Sequence, residues 1–170
     1  MLSVRRATPE DVNQVAGVHV RSWQSGYQGL LPAEYLDALR AEDRSERYDF
    51  GAAPARDQPV TVVAVEQDTI YGFATTGACR DADAAGAGQV FAVYVDPDHW
   101  RQGVGRLLIA QARDQLGRDG FREAVLWVVV GNERAEEFYR ADGWVPDGCR
   151  QQEEVWGLTV DQVRYRRPLP

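Results

Sequence analysis

The chain has 170 residues, a length typical of one domain, and a formal net charge of −7. Its five Trp, seven Tyr and five Phe exclude a disordered chain, and its two cysteines exclude a disulfide scaffold. The length predicts one domain over residues 1–170. The acidic balance argues against nucleic acid as a partner, and the lack of an apolar run of about 18 residues argues against a membrane. An N-terminus without a secretory signal predicts a cytoplasmic protein.

Hydrophobic periodicity and turn residues predict alternating strands and helices. The predicted elements in chain order are a strand at 2–6, a helix from 9 to a break at 26–31, a helix from 32 through 39, a loop at 50–59, strands at 60–66 and 70–76, a loop at 80–88, a strand at 89–96, a helix at 103–118, a strand at 124–130, a helix at 132–141, and strands at 151–156 and 162–167. The strand–helix–strand unit over 89–130 makes its two strands parallel, while the hairpins make the others antiparallel. This order predicts an α/β fold with a mixed, mostly antiparallel sheet, a central parallel pair and helices on both faces.

A glycine loop joins the strand at 89–96 to the helix at 103–118. Residues 100–106 read Trp-Arg-Gln-Gly-Val-Gly-Arg, so two glycines stand at the start of a helix. Glycine lets the backbone approach an anion, and the unpaired N–H groups of a helix start favour a phosphate or pyrophosphate. No lysine is present for a P-loop, and Leu108 stands where a dinucleotide fingerprint needs its third glycine. A plain strand-to-helix turn explains the two glycines equally well.

A second motif follows the apolar run at 124–130. Residues 132–144 combine the helix cap Asn132, an inward Ala135 and Tyr139, and a closing Gly-Trp pair. With residues 100–105 at the right separation, this pattern resembles the GNAT superfamily of N-acetyltransferases, whose acetyl-CoA loop and following helix carry similar motifs. Residues 19–32 and 163–167 also look like the opening and the last strand of bacterial members, so the resemblance spans essentially the whole chain.

The resemblance implies an enzyme that moves the acetyl group of acetyl-CoA to a primary amine of a small molecule or peptide, by direct attack in a ternary complex and without a metal. It implies that Val93, Tyr94 and Val95 pair with the pantetheine arm as an added strand, and that Asn132 hydrogen-bonds the same arm. The pyrophosphate would lie on the backbone N–H groups of Arg101, Gln102, Gly103, Val104, Gly105 and Arg106. A homodimer is a further option, because dimers are common in the family.

The resemblance also implies a catalytic role for Tyr139. From its spacing alone, Tyr139 is a core aromatic beside Phe138. In the family pattern it protonates the leaving thiolate. A phenol with a pKa of about 10 and a thiol with a pKa of about 8.5 make that proton transfer close to balanced.

The general base is left open by the sequence. Many family members carry a Glu near the start of the central strand, where this chain has Gln89, and Gln accepts no proton at neutral pH. Bulk water or a proton relay can take the proton, and the candidate side chains are Glu153, Glu154 and His19. The two glutamates are equally typical of a solvated strand face, and His19 of a core position on the helix that carries Trp23.

Four residues are expected at the acceptor pocket. The resemblance places Trp23 and Tyr27 on one wall, Trp156 on another, and Gln89 nearby. Aromatic walls suit apolar or cationic amines through stacking and cation–π contacts. The three aromatic residues are equally typical of a hydrophobic core.

Three functions are consistent with these patterns. The first is the acetyltransferase. The second is a GNAT-fold module that binds acyl-CoA as a sensor or partner without turnover, which Gln89 favours. The third is a plain nucleotide-binding α/β protein, which the glycine loop alone allows.

Overall fold

The computed structural model describes residues 1–51 and 58–170. Its strands and helices in chain order are β1 (Ser3–Arg6), α1 (Val12–Gly26), α2 (Ala33–Ala38), α3 (Ala41–Ser45), β2 (Val60–Glu66), β3 (Thr69–Ala78), β4 (Gly88–Val95), α4 (Val104–Arg118), β5 (Glu123–Val129), α5 (Glu133–Ala141), β6 (Val145–Val155) and β7 (Leu158–Pro168). Short 3-10 turns at Pro9–Asp11, Ala82–Ala84 and Pro97–His99 precede α1, β4 and α4. No helix among these residues has the length and apolar character needed to cross a membrane.

One seven-stranded sheet has the strand order β1-β2-β3-β4-β5-β7-β6. Only β4 and β5 run parallel, and every other neighbouring pair is antiparallel. The predicted fold class is therefore confirmed. The β2–β3 hairpin closes where Glu66 pairs with Thr69, and Gln67 and Asp68 both have positive φ, as a tight two-residue turn requires.

The two faces of the sheet bury different helices, because successive side chains of a strand point to opposite sides. On one face Ala64 and Ala74 pack with Leu108 of α4. On the other face Val63 and Phe73 pack with the α1 residues Val15 and Val18, while α2 and Trp23 belong to a third cluster. The helices cover both faces, as predicted.

Two features differ from the expected elements, and one predicted element is not tested. The short helix α3 has no separate sequence signal, because five residues hold barely one helical turn. Strands β6 and β7 are both longer than predicted. The start of β6 was missed because Pro146 and Gly148 are typical of turns, yet they lie in β6 beside a register shift between Pro146 and Arg150. Most of the loop predicted at 50–59 lies outside the described residues, because the structure does not describe 52–57.

Candidate active site

Strands β4 and β5 part soon after they begin. Gly88 pairs with Ala124 and Gln89 with Val125, and the described strands pair no further. β4 then continues to Val95 while β5 stays paired with β7 along its length. A wedge-shaped gap therefore opens in the middle of the sheet beyond Gln89, and this gap is called the cleft below.

The β4 edge of the cleft offers main-chain groups without strand partners. The N–H of Asp96 donates to the Tyr71 carbonyl of β3 at 2.8 Å. Because hydrogen-bonding direction alternates along an antiparallel pair, the main chain of Tyr94 faces β3, and those of Val93 and Val95 face the cleft. The indole Nε1 of Trp100 donates to the Val95 carbonyl at 2.8 Å, in agreement with this direction. Tyr94 therefore lines the site through its side chain, and of the three residues expected to pair with pantetheine only Val93 and Val95 present main-chain groups to the cleft.

The glycine loop leaves a run of backbone donors unused. The first bond of α4 runs from the Leu107 N–H to the Gly103 carbonyl at 3.0 Å. Over the described chain, the N–H groups of residues 101–106 donate to no protein acceptor. Gly103 has φ +85° and Arg101 has φ +61°, so the loop adopts left-handed backbone at two points. Such a loop at a helix N-terminus concentrates N–H dipoles and suits an anion, which fits the diphosphate of coenzyme A.

Side chains on three elements hold this loop in place. Asp96 accepts hydrogen bonds from the Asp98 N–H at 3.1 Å and from the Arg21 Nε of α1 at 3.0 Å. On α5, the Arg134 guanidinium lies 4.0 Å from the centroid of the Trp100 ring. These contacts fix the loop relative to α1 and α5, the two helices that flank the cleft.

Helix α5 begins and packs close to the same loop. Asn132 is buried, and its Oδ1 accepts the Ala135 N–H at 3.2 Å, so the predicted helix cap is present. This bond leaves the Asn132 side-chain NH₂ for another acceptor. A Cβ on Gly105 would lie 3.3 Å from the Phe138 ring. The second glycine of the loop is therefore needed for the close approach of α4 and α5.

Tyr139 lies on α5, and its side chain is near Tyr94 and Arg134. Its ring contacts Phe138 at a centroid distance of 5.1 Å and Trp144 at 6.3 Å. Burial raises the pKa of Tyr139 well above its ordinary value, and the nearby Tyr94 phenol raises it further, while the Arg134 charge acts in the opposite direction. The phenol therefore stays protonated at neutral pH, as a proton donor requires.

A cavity of about 440 Å³ opens from the cleft on the α1 face of the sheet. It is called the acceptor cavity below. Its walls are residues of α1 and the following turn, the β3–β4 loop, and strands β4 to β7: Trp23, Tyr27, Leu31, Arg80, Asp81, Gln89, Val90, Phe91, Tyr94, Trp127, Val129, Gln151, Glu153, Val155, Val160 and Gln162. A larger groove of about 700 Å³ lies between α4 and the β1–β2 edge and contains none of the predicted site residues.

The structure brings three of the four predicted acceptor residues to this cavity. Trp23, Tyr27 and Gln89 line it. Trp156 does not, since it stacks on Trp23 at 4.5 Å and 17° and supports the wall from behind. Helical spacing identified the face that carries Trp23 but gave no information about which of the two stacked indoles lines the cavity.

Two buried polar atoms at the cavity have no protein partner. Gln89 is 9% exposed, and its Oε1 accepts no hydrogen bond from the described residues. Trp23 is 4% exposed, and its Nε1 likewise has no acceptor. Buried polar groups are almost always hydrogen-bonded in folded proteins. An unpaired acceptor and an unpaired donor on the walls of one cavity therefore indicate a place where a ligand or water completes the bonding.

The candidate bases occupy different places. Glu153 shares one face of β6 with Gln151 and Val155 and lines the acceptor cavity, whereas alternation turns Glu154 to the other face. His19 is not on the cavity wall. It shares a 2.5 Å hydrogen bond through Nδ1 with the Tyr48 hydroxyl.

The environment of His19 keeps it neutral. Its ring stacks on Tyr94 at 5.0 Å and lies 3.9 Å from the Trp156 ring. Burial lowers the pKa of His19 well below its ordinary value, and the positive charge of Arg44 lowers it further. His19 is therefore a neutral core residue that supports the aromatic wall.

Sequence reasoning missed a polar cluster beside the cavity. Arg164 of β7 is 2% exposed and binds Asp81, Asp83 and Asp147. These four residues are called the Arg164 cluster. A single arginine in a strand pattern and two aspartates in a predicted loop carry no local signal of this contact. Only the positive charge inside an otherwise apolar strand, 163–165, indicates that a buried partner is needed.

Comparisons with known proteins agree with this architecture. The model of the acetyltransferase (GNAT) family matches residues 21–144. YuaI of Bacillus subtilis (strain 168), an uncharacterized N-acetyltransferase, is 31% identical over 164 residues, which cover 96% of this chain and 91% of that protein.

Solved structures share the fold. A GCN5-related N-acetyltransferase from Rhodopseudomonas palustris has a TM-score of 0.76 at 22% identity, with 98% of this chain and 95% of the other covered. The PaiA N-acetyltransferase from Thermoplasma acidophilum, solved in complex with coenzyme A, has a TM-score of 0.70 at 17% identity, with 99% of each chain covered. The family match over most of the chain, together with the split strands and the glycine loop, shows that this protein belongs to the acetyltransferase (GNAT) family.

Proposed function

We propose that this protein is an N-acetyltransferase that transfers the acetyl group of acetyl-CoA to a primary amine of a small molecule or peptide. The observation that carries the proposal is the run of unpaired N–H groups at residues 101–106, at the mouth of a cleft between split strands. A plain strand-to-helix turn needs the two glycines but does not need the adjoining strands to part. The cleft is therefore what favours a cofactor site.

The residues of the cleft suit the parts of coenzyme A in order. The N–H groups of residues 101–106 bind the diphosphate, and the exposed Arg101 and Arg106 add positive charge beside it. The free edge of β4 at Val93 and Val95 pairs with the amide groups of the pantetheine arm. The side-chain NH₂ of Asn132 donates to the same arm from the opposite wall.

Acetyl-CoA supplies a thioester, whose carbonyl carbon forms a bond to the amine nitrogen as its bond to sulfur breaks. Tyr139 donates its phenolic proton to the departing sulfur. Burial weakens Tyr139 as an acid, but the same apolar cleft desolvates the thiolate and raises the pKa of its thiol. The two pKa values are thereby shifted in the same direction.

The neutral amine that attacks loses one proton on the other side of the cleft, and solvent returns a proton to Tyr139 when the products leave. Glu153 lines the acceptor cavity and has no ion-pair partner among the described residues, so we assign it as the carboxylate that accepts the proton. Gln89 serves as a binding group, because its orphaned Oε1 accepts a hydrogen bond from an amine N–H. Walls from α1 and from β6–β7 meet at this cavity, which supports one functional unit over residues 1–170.

A second candidate is a module that binds acyl-CoA without turnover. It is favoured by one observation, the neutral Gln89 where many members of the family carry an acid. It shares the cofactor site with the enzyme and differs only in the chemistry.

Release of free thiol from acetyl-CoA, measured across a panel of amines, separates these functions. We expect amine-dependent release, with a fall in kcat of roughly 100-fold in Tyr139→Phe, as expected when a general acid is lost. Calorimetry should give the same coenzyme A affinity for the wild-type protein and for Tyr139→Phe. Tyr71→Phe is the control, since Tyr71 donates to Glu66 on the β2–β3 hairpin and lies outside the cleft lining. Binding of coenzyme A without release from any amine would assign the module, and stabilisation by nucleotides without stabilisation by coenzyme A would exclude both.

A further inference from the structure

We infer that Asp81 recognises a second positive charge on the acceptor, so that the preferred substrate is a diamine or an amine with a cationic far end. This inference rests on the proposed function and names its substrate class. It is carried by the way Asp81 is held on the wall of the acceptor cavity.

One oxygen of Asp81 is committed and the other is free. Its Oδ2 accepts hydrogen bonds from the Trp127 Nε1 at 3.0 Å and from an Arg164 Nη1 at 3.1 Å. Its Oδ1 receives no hydrogen bond from the described residues. Asp81 lines the cavity, so this carboxylate is fixed in orientation with one acceptor oxygen left for a ligand.

The ion pair with Arg164 does not cancel the charge of Asp81. Arg164 also binds Asp83 through both terminal nitrogens, at 2.8 and 2.7 Å, and Asp147 through Nε at 2.6 Å. One guanidinium is thus shared by three carboxylates. The neighbouring Arg166 is itself paired with Glu123 and Asp147, so the region keeps a net negative charge. A cationic ligand group at the cavity relieves this excess.

The cavity is also built for an alkylammonium chain. Its aromatic walls include Trp127, whose ring lines the cavity while its Nε1 fixes Asp81. Aromatic faces attract cations and cover methylene groups. The unpaired Oε1 of Gln89, at the narrow end of the cleft, provides a separate acceptor for the reacting amine. Gln89 and Asp81 both line the cavity, which therefore offers one acceptor for the reacting amine and a carboxylate for a second amino group.

Arg80 gives the competing interpretation, an acceptor with an acidic far end. It lines the same cavity, but it is exposed and its guanidinium lies 5.2 Å from the Phe91 ring centroid. An exposed charge is screened by salt and water, whereas the carboxylate of Asp81 is held against a buried partner. The geometry therefore favours the cationic acceptor.

Three acceptors of equal length test the inference: n-butylamine, 1,4-diaminobutane and 4-aminobutanoate, compared by kcat/KM in thiol release, with their hexyl homologues as a second length. We expect kcat/KM for the diamine to exceed that for the monoamine by at least about tenfold, which corresponds to the weakest hydrogen bonds between charged groups. We expect the amino acid to have the lowest kcat/KM. Asp81→Asn keeps the shape and an acceptor oxygen for Arg164 and should reduce the diamine preference to about one.

Asp83→Asn is the matched control. It removes one carboxylate from the same Arg164, but Asp83 does not line the cavity, so the diamine preference should fall much less than in Asp81→Asn. If Asp81→Asn fails to fold, the salt dependence of the wild-type preference decides, because a charge-based preference falls as ionic strength rises. Equal kcat/KM for thiol release with the diamine and with the monoamine would overturn this inference but not the proposed function. A preference for 4-aminobutanoate assigns recognition to Arg80, and no release from any amine overturns the proposed function instead.

Discussion

Gln89 forms the last pair that joins β4 to β5, and its partner is Val125. The cleft opens directly beyond this pair, so the amide of Gln89 stands at its narrow end. An amide there can orient an amine but cannot take its proton. The proposed function therefore assigns the acid to Tyr139 and the base to Glu153.

The free edge of β4 predicts contrasting effects of proline at adjacent positions. Val93→Pro removes an N–H that faces the cleft, so the protein should fold and bind coenzyme A at least about fivefold more weakly, the value of one hydrogen bond. Ala92→Pro removes an N–H that by alternation faces β3 and should cost about 3 kcal/mol or more of stability. Thermal unfolding and calorimetry measure the two effects. Equal loss of stability in both variants would contradict the assigned strand direction.

Alanine substitutions at two glycines with left-handed backbone distinguish an effect on cofactor binding from an effect on stability. Gly103 has φ +85° and Gly86 has φ +91°, and a Cβ on either meets no atom within 4 Å. Alanine at either site should destabilise the fold by roughly 1 to 2 kcal/mol, the cost of a left-handed residue with a side chain. Only Gly103→Ala should also weaken coenzyme A binding, because it disturbs the loop at residues 101–106. Unchanged affinity in Gly103→Ala would contradict the cradle.

His19 predicts a loss of stability in mild acid. Its folded-state pKa lies well below the unfolded value of about 6.5, so as pH falls below that value the unfolded chain takes up a proton that the folded chain does not. Unfolding is thereby favoured by up to about 1.4 kcal/mol per pH unit. In His19→Gln, denaturant titrations between about pH 6.5 and about pH 5 should show a smaller slope of stability against pH. His99→Asn removes the other histidine and is the control, and an equal reduction there would refute the assignment.

The Arg164 cluster predicts a large cost for removing its one cation. Arg164→Met leaves Asp81, Asp83 and Asp147 facing each other beside a buried site and should cost about 3 to 5 kcal/mol of stability. Arg166→Met should cost less than about 1 kcal/mol, because its partner Glu123 is 46% exposed and its other partner, Asp147, keeps Arg164. Urea denaturation of both variants gives the comparison. Similar losses would show that Arg164 is not the centre of the cluster.

Local patterns account for the parts of the fold that the sequence predicts. The order of elements and the parallel pair follow from periodicity and chain connectivity, and the cap at Asn132 follows from residue type. Helix α3 and the first half of β6 were missed because tertiary packing overrides weak or contrary propensities there.

The acceptor cavity depends on contacts that no local pattern contains. Asp81 and Arg164 are separated by 83 positions in the sequence, and their contact depends on the order β5-β7-β6 at one side of the sheet. The positions of Trp23 and Trp156 show the same limit. Both were predicted for the pocket from the family resemblance, but their stacking order is set by packing between α1 and the β6–β7 hairpin.

The backbone amide signals of residues 101–106, followed by NMR during titration with coenzyme A, test the central claim most directly. We expect the largest saturable shifts at these amides and at Val93, with much smaller shifts in the β2–β3 hairpin. Shifts confined to other regions, or no saturable shift at these amides, would contradict a diphosphate site at the start of α4.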